Sequence, residues 1–141
     1  LMSASLLAVL FHEAGHLAVM KKLKCQPKLV KLSAAGILIC GNSYCTSDEN
    51  ILISLAGPFT NFIFCGLFYL VYTLSNSVLI LYFAVVQFAV GLLNLMPVKG
   101  LDGGTVLYCI LSKYNVNAEF ITRFISIVFA SAMLVFERFL P

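Results

Sequence analysis

The sequence predicts an all-α membrane protein, a four-transmembrane-helix bundle with a small β-hairpin on the cytosolic side between helices 1 and 2. Of its 141 residues, 61% are hydrophobic and 11% are charged, which is far more apolar than an ordinary soluble domain. Each of four apolar runs is close to the ~20 residues that cross a hydrocarbon core as a helix. These runs are Leu1–Met20, Ile51–Leu74, Val78–Met96 and Phe120–Leu140.

The connections between these runs are short, and the sequence has no Pro/Ser-rich linker, low-complexity tract or internal repeat. We therefore predict a single integral-membrane domain over residues 1–141. Leu1 is not an initiator residue and no charged flank precedes the first run, so we expect native residues ahead of it. Because this run carries ionisable side chains and no small-residue cleavage site follows it, we interpret it as a mature helix rather than a removed targeting peptide.

The first helix contains the motif His12-Glu13-Ala14-Gly15-His16. A spacing of four places both imidazoles on one helix face, where they can hold a zinc ion. Glu13 is offset around the helix and can act as general base toward water and then as general acid toward a leaving amine. An acidic side chain inside a membrane helix costs about 2.5–3.5 kcal/mol, so it persists mainly where function or pairing offsets that cost. The alternative is that the histidines form interhelical hydrogen bonds and Glu13 snorkels toward nearby lysines.

Between helices 1 and 2, the segment Lys28–Cys45 alternates weakly between apolar and polar residues. Gly41-Asn42-Ser43 is typical of a turn between two short strands, so we predict a β-hairpin with its turn there. The hairpin would either receive an unwound substrate segment on its exposed edge or merely cap the bundle, and the sequence leaves both open.

The chain has five cysteines, an odd number that argues against a disulfide framework. Cys25, Cys40 and Cys45 fall on the side predicted to be cytosolic and reducing, so we expect free thiols. Cys40 and Cys45 could form half of a metal site, but no second pair matches them. Cys65 and Cys109 lie in apolar runs, where cysteine behaves as a small hydrophobic residue.

Lysine and arginine placement predicts the orientation, because cytoplasmic loops carry the excess of positive charge. Both long connections should be cytosolic, with a tight outer turn near Ser75–Ser77, and Arg138 alone lies at the opposite end. The formal net charge of +3 then indicates attraction to anionic lipid in the bilayer. It does not indicate a nucleic-acid partner, since no basic face with interleaved aromatic residues is present. The cytosolic charges are Lys21, Lys22, Lys24, Lys28, Lys31, Lys99, Lys113 and Arg123.

Asp102 is the candidate third metal ligand, because a catalytic zinc usually has three protein ligands and this acid lies at a depth comparable to the histidines. Around it, Asn94-Leu-Met-Pro97 and Gly100-Leu-Asp102-Gly103-Gly104 interrupt an apolar helix. Such breaks are expected where backbone unwinds around a site inside the protein. The alternative is that Asp102 caps a helix from about Thr105 to Ser112.

Together these motifs resemble the site-2 protease family of intramembrane zinc metalloproteases. The matching residues are the His-Glu-x-x-His motif, Ala56-Gly57-Pro58-Phe-Thr-Asn61, Asn94-x-x-Pro97 and Leu101-Asp102-Gly103. The layout is similar to the short form of the family without an inserted PDZ domain, as in stage IV sporulation protein FB. The resemblance implies a three-helix catalytic core with Zn²⁺ inside a cell membrane, near the cytosolic face.

By the same resemblance, Asn61 and Asn94 would contact substrate or stabilise the oxyanion, although both asparagines are equally compatible with plain helix–helix hydrogen bonds. The implied activity is hydrolysis of peptide bonds in or near transmembrane segments of membrane-bound substrates, in regulated intramembrane proteolysis. The implied partners are such a substrate, the lipid bilayer and a regulatory membrane protein.

Two other functions remain open at this point. A membrane metal-ion transporter would also bury histidines and acids, but it would need polar ligands along a crossing path, and here they gather at one end. A catalytically inactive relative that binds membrane proteins would usually have lost the glutamate or a metal ligand, and neither is missing.

Overall fold

The computed structural model of the chain describes residues 2–25, 29–33, 36–40, 45–114 and 116–137, and it contains five helices and one pair of strands. The elements are α1 (Met2–Lys22), β1 (Leu29–Ser33), β2 (Gly36–Cys40), α2 (Ser47–Ser75), α3 (Val78–Asn94), α4 (Asp102–Ser112) and α5 (Ala118–Glu137).

The predicted fold class, a bundle of four transmembrane helices, is wrong. The described part of the chain has five helices, because the third apolar run ends at Asn94 and a separate helix, α4, begins at Asp102. Only α2 among the described helices is both long and apolar enough to cross a membrane, while α3 is apolar but has 17 residues. Helix α4 lies outside the four apolar runs, because its 11 residues are too few to be predicted as a membrane span.

The predicted β-hairpin is also wrong in the form expected. The strands β1 and β2 pair antiparallel with Leu29 opposite Cys40 and Ser33 opposite Gly36. The chain therefore reverses between Ser33 and Gly36 rather than at Gly41–Ser43, which lies outside the described residues. Both stretches contain residues that favour turns, so composition alone did not identify the reversal.

The boundaries of α2 follow from local chemistry. Thr46 is the N-cap: its side chain accepts from the Glu49 N–H, and the Glu49 carboxylate accepts from the Thr46 N–H in return, which forms a capping box. At the other end, Asn76 adopts the left-handed conformation, with φ of 51°, and its N–H donates to the Tyr72 carbonyl. The tight turn between α2 and α3 therefore falls where the sequence predicts it.

Helix α2 is the centre of the fold, because α1, α3 and α4 all pack against it. Close approach depends on small residues, as is common between membrane helices. A Cβ atom at Gly15 of α1 would meet the side chain of Thr60 and the carbonyl of Ala56, and one at Gly91 of α3 would meet Phe62. These glycines therefore mark the points where the helices cross.

The distribution of polarity is the reverse of a soluble protein. Polar side chains are buried between the helices, whereas large apolar side chains are exposed on the outer faces. This pattern fits a protein whose surroundings are lipid, where polar groups face the bundle interior. The buried polar residues are His12, His16, Ser54, Asn61, Gln87 and Thr122, and the most exposed apolar ones include Leu6, Phe59, Leu74, Val78, Leu79, Phe120 and Ile127.

The expectation of free thiols is wrong for two of the cysteines. Cys25, just after α1, and Cys45, just before α2, are joined by a disulfide bond. Cys65 and Cys109 are free, and Cys109 is buried, as expected for a small hydrophobic residue. The odd number of cysteines argued against a complete framework but could not exclude a single bond between residues that the fold brings together.

Candidate metal centre

Two imidazoles from α1 and one carboxylate from α4 converge on one point inside the bundle. The Nε2 atoms of His12 and His16 are 3.0 Å apart. Oδ2 of Asp102 lies 2.9 Å from Nε2 of His12 and 3.3 Å from Nε2 of His16. Both histidines are buried. The three residues that the sequence singled out as ligands are thus brought together, although Asp102 lies 86 or more positions after the histidines in the chain.

The segment between the end of α3 at Asn94 and the start of α4 places Asp102 at this point. Leu101 is the N-cap of α4 and makes no side-chain capping bond. Asp102 is therefore the first helical residue, and its side chain is directed to the histidines. The alternative role of Asp102 as N-cap therefore does not describe this helix. The first turn of α4 packs tightly under the preceding loop, since a Cβ atom at Gly103 or Gly104 would meet the carbonyls of Leu95 and Val98 respectively.

The donor set fits zinc. Two imidazole nitrogens and a carboxylate oxygen, all within 4.8 Å of one another, match the three-ligand sites that leave a position for water or substrate. Without a metal, these three atoms would interact poorly, because each carries a lone pair and two neutral imidazoles have few N–H groups to donate to the carboxylate. The buried Oδ2 of Asp102 has no hydrogen-bond partner outside the two imidazoles.

Groups on α2 orient the imidazoles. Nδ1–H of His16 donates to the carbonyl of Ile53 at 2.7 Å, which leaves its Nε2 unprotonated for a metal. Nδ2 of Asn61 lies 3.4 Å from Nδ1 of His12, and Oδ1 of Asn61 is buried and has no hydrogen-bond partner in the part of the chain that the structure describes. A half-turn of this carboxamide would let Oδ1 accept from Nδ1–H of His12, which would leave the Nε2 atom of that histidine free as well.

Gly57 of α2 lies directly against the metal ligands. A Cβ atom there would overlap Nε2 of His16 and approach Cε1 of His12. The sequence places this glycine in the Ala56–Asn61 motif but indicates no role for it. The Ile53 carbonyl was not predictable either, since a backbone acceptor has no signal in the sequence.

The other predicted site residues are placed as follows. Glu13 is half-buried, and its Oε2 atom is buried with no hydrogen-bond partner among the described residues. Asn61 is completely buried behind His12. Asn94 lies at the end of α3, where its Nδ2 donates to the carbonyl of Val90 in the same helix at 2.9 Å. The structure thus groups Asn61 with the histidines, and it shows Asn94 hydrogen-bonded within α3.

Comparison with solved structures identifies a relative of the same fold. The site-2 protease from Methanocaldococcus jannaschii superposes with a TM-score of 0.78 at 26% sequence identity, and the match covers 94% of this chain and 64% of that one. This chain therefore spans a little less than two thirds of the length of that relative. No protein-family model matches the chain, and no curated protein matches its sequence. The structural match confirms the resemblance to the site-2 protease family that the motifs indicated.

Proposed function

We propose that this chain, a membrane protein with the fold of a site-2 protease, is an intramembrane zinc endopeptidase that hydrolyses peptide bonds in or near transmembrane segments. The observation that carries the proposal is the convergence of His12, His16 and Asp102 on one point, next to the buried and unpartnered carboxylate oxygen of Glu13. The structural similarity to the site-2 protease from Methanocaldococcus jannaschii supports the same reaction class.

Each residue has a distinct role in this proposal. His12, His16 and Asp102 hold the metal, and a zinc ion in such a site polarises a carbonyl and lowers the pKa of water. Glu13 is one residue from His12 on α1, so its carboxylate stands beside the ligands without being one of them. It takes a proton from the attacking water and returns it to the leaving amine. Asn61 holds the His12 ring, and Asn94 stabilises the developing oxyanion once substrate is bound.

We further propose that the protein is a multi-pass protein of the cell membrane with its active site near the cytosolic face. Lys21, Lys22 and Lys24 are exposed at the end of α1, within about two turns of His16. This cluster favours a cytosolic position for that end of the bundle. The substrates are membrane-bound proteins with a transmembrane or membrane-associated segment, and a regulatory membrane partner controls their entry.

Zinc analysis of the detergent-purified protein tests the assignment of the ligands. We expect close to one zinc per chain in the parent and a large loss in His16→Ala and Asp102→Ala. Glu13→Gln should retain zinc, because Glu13 is not a ligand, but it should lose cleavage of a model transmembrane substrate. A metal-free parent, or full cleavage by Glu13→Gln, would overturn the proposal.

A further inference from the structure

We propose that Cys25 and Cys45 form a reversible disulfide clasp that holds α1 and α2 together and thereby controls how tightly the metal centre is held. The clasp joins the end of the helix that carries both histidines to the start of the helix that orients them. The existence of the clasp can be tested without metal or peptide hydrolysis, whereas its effects on zinc and on cleavage rest on the proposed function.

The backbone holds both cysteines in position. Two residues after the end of α1 at Lys22, Lys24 adopts the left-handed conformation, with φ of 58°. The Cys25 N–H donates to the Met20 carbonyl at 2.9 Å, and the Lys24 N–H donates to the Lys21 carbonyl at 3.3 Å. This pair of bonds is a Schellman motif, which directs the chain sharply away from the helix axis. Cys25 is therefore held by the end of α1 and not by a loose connection.

On the other side, Cys45 immediately precedes Thr46, the residue that caps α2. Nδ2 of Asn50 donates to the carbonyl of Cys45 at 3.4 Å. The Cα atoms of the two cysteines are 6.0 Å apart, within the usual range for a disulfide. Two helix-terminal motifs thus present the two sulfurs to each other, and bond formation requires no rearrangement of either helix.

The clasp and the metal centre are coupled through the same two helices. Eight residues after Cys45, the carbonyl of Ile53 accepts the hydrogen bond from His16, which lies nine residues before Cys25. An apolar groove of about 590 Å³ extends along α1 and α2, from Leu23 near the clasp to Thr60 beyond Ile53. Because the clasp joins the ends of the same two helices, opening it frees those ends to separate, and separation would weaken the bond that orients His16.

The chemistry is thiol–disulfide exchange. Two thiols of the chain react with a small-molecule disulfide such as glutathione disulfide. One Sγ–Sγ bond forms, one S–S bond of the reagent breaks, and two reagent thiols leave with the two protons. On the proposed cytosolic side, disulfides are usually transient and sense the redox state. Cys45 is half-buried and Cys25 is buried, so the reagent would reach Cys45 first.

The test uses the full chain in detergent after incubation with glutathione disulfide or with dithiothreitol. Denatured samples are labelled with a maleimide polymer, and reduction should add two labels per chain in the parent. Cys25→Ser and Cys45→Ser should not show this difference, whereas the control Cys65→Ser should retain it.

In the parent, reduction should lower the unfolding temperature by roughly 5 °C or more, and it should speed zinc transfer to a chromogenic chelator several-fold.

Because the parent is measured in both redox states, the test does not depend on the folding of a variant. Equal label numbers in the two states would overturn the clasp. If labelling of the native, undenatured protein shows that a chelator rather than a reductant exposes the two thiols, the pair is a metal site with Glu49, whose carboxylate lies within 4.8 Å, and not a clasp. A bond that forms without changing the unfolding temperature or zinc transfer would overturn the coupling. A metal-free parent would overturn the proposed function, but the labels and unfolding temperature would still decide the clasp.

Discussion

At the scale of single residues, the proposed metal centre depends on Gly57, which has no side chain, as much as on the three proposed ligands. Gly57 gives α2 the clearance to approach His12 and His16, whose ring atoms occupy the space that a Cβ atom would need. Any larger residue must push the imidazoles away from Asp102. Close packing of α2 against α1 and correct placement of the two imidazoles therefore both require glycine at this position.

We expect Gly57→Ala to weaken zinc affinity by about 10- to 100-fold, as changes to the groups around metal ligands typically do. Gly66→Ala is the matched control, because it lies in the same helix and a Cβ atom there meets nothing within 4 Å. Competition with a fluorescent zinc chelator measures both variants. Equal affinities in the two variants would show that the imidazoles have room to move.

The two asparagines should differ in their effect on zinc. Asn61→Leu removes the only side chain described here that contacts Nδ1 of His12, so we expect a roughly 10-fold or greater loss of zinc affinity. Asn94→Leu is the comparison, because its amide bonds to the Val90 carbonyl within α3. It should leave zinc affinity unchanged and reduce cleavage alone. The same zinc loss in both variants would contradict this division of roles.

Much of the site was predictable at this scale, for a physical reason. The spacing of His12 and His16 is a local property of one helix, and Asp102 was the one acid beside a helix break at the right depth. By contrast, two contacts depend on where a second helix crosses the first. They are the contact of Gly57 with both imidazoles and the hydrogen bond from His16 to the Ile53 carbonyl. That crossing is a tertiary property, which residue types alone do not specify.

At the scale of elements, the break between α3 and α4 is what brings the Asp102 carboxylate to His12 and His16. The sequence signalled the break through Pro97 and its glycines but not the number of helices, because α4 has only 11 residues and lies outside the four apolar runs. Similarly, turn-forming residues suggested a reversal at Gly41–Ser43, whereas strand pairing places it between Ser33 and Gly36. Register depends on which side chains each strand face must bury, which a weak alternation does not reveal.

Gly103→Ala tests the packing of this break. A Cβ atom at Gly103 would overlap the carbonyls of Leu95 and Met96, which are backbone atoms and cannot rotate aside. We expect a loss of about 1–3 kcal/mol in the free energy of unfolding and a lower zinc content, because α4 and Asp102 must shift. Thermal unfolding in detergent and elemental analysis measure the two effects, with Gly66→Ala again as the control. A variant as stable and as zinc-loaded as the parent would contradict the tight packing.

At the scale of the whole molecule, polar groups are buried inside and large apolar side chains face outward. A soluble protein could not leave so many large apolar residues exposed, whereas lipid accepts them without cost. The same arrangement protects the metal centre, since both histidines are buried within the bundle. The environment of the site is therefore set by how all the helices are arranged, and its orientation in the membrane decides from which side water and substrate arrive.

That orientation can be measured with introduced cysteines. Ser75 and Tyr114 are both exposed, and they lie at the α2–α3 turn and just after α4. If the lysine-rich end is cytosolic, Ser75→Cys should react with a membrane-impermeant maleimide in intact cells, and Tyr114→Cys should react only after the membrane is permeabilised. The parent provides the background from native cysteines. The reverse labelling pattern would place the metal centre near the opposite face, so that Glu13 would draw its water from outside the cell and the Cys25–Cys45 bond would lie in an oxidising compartment.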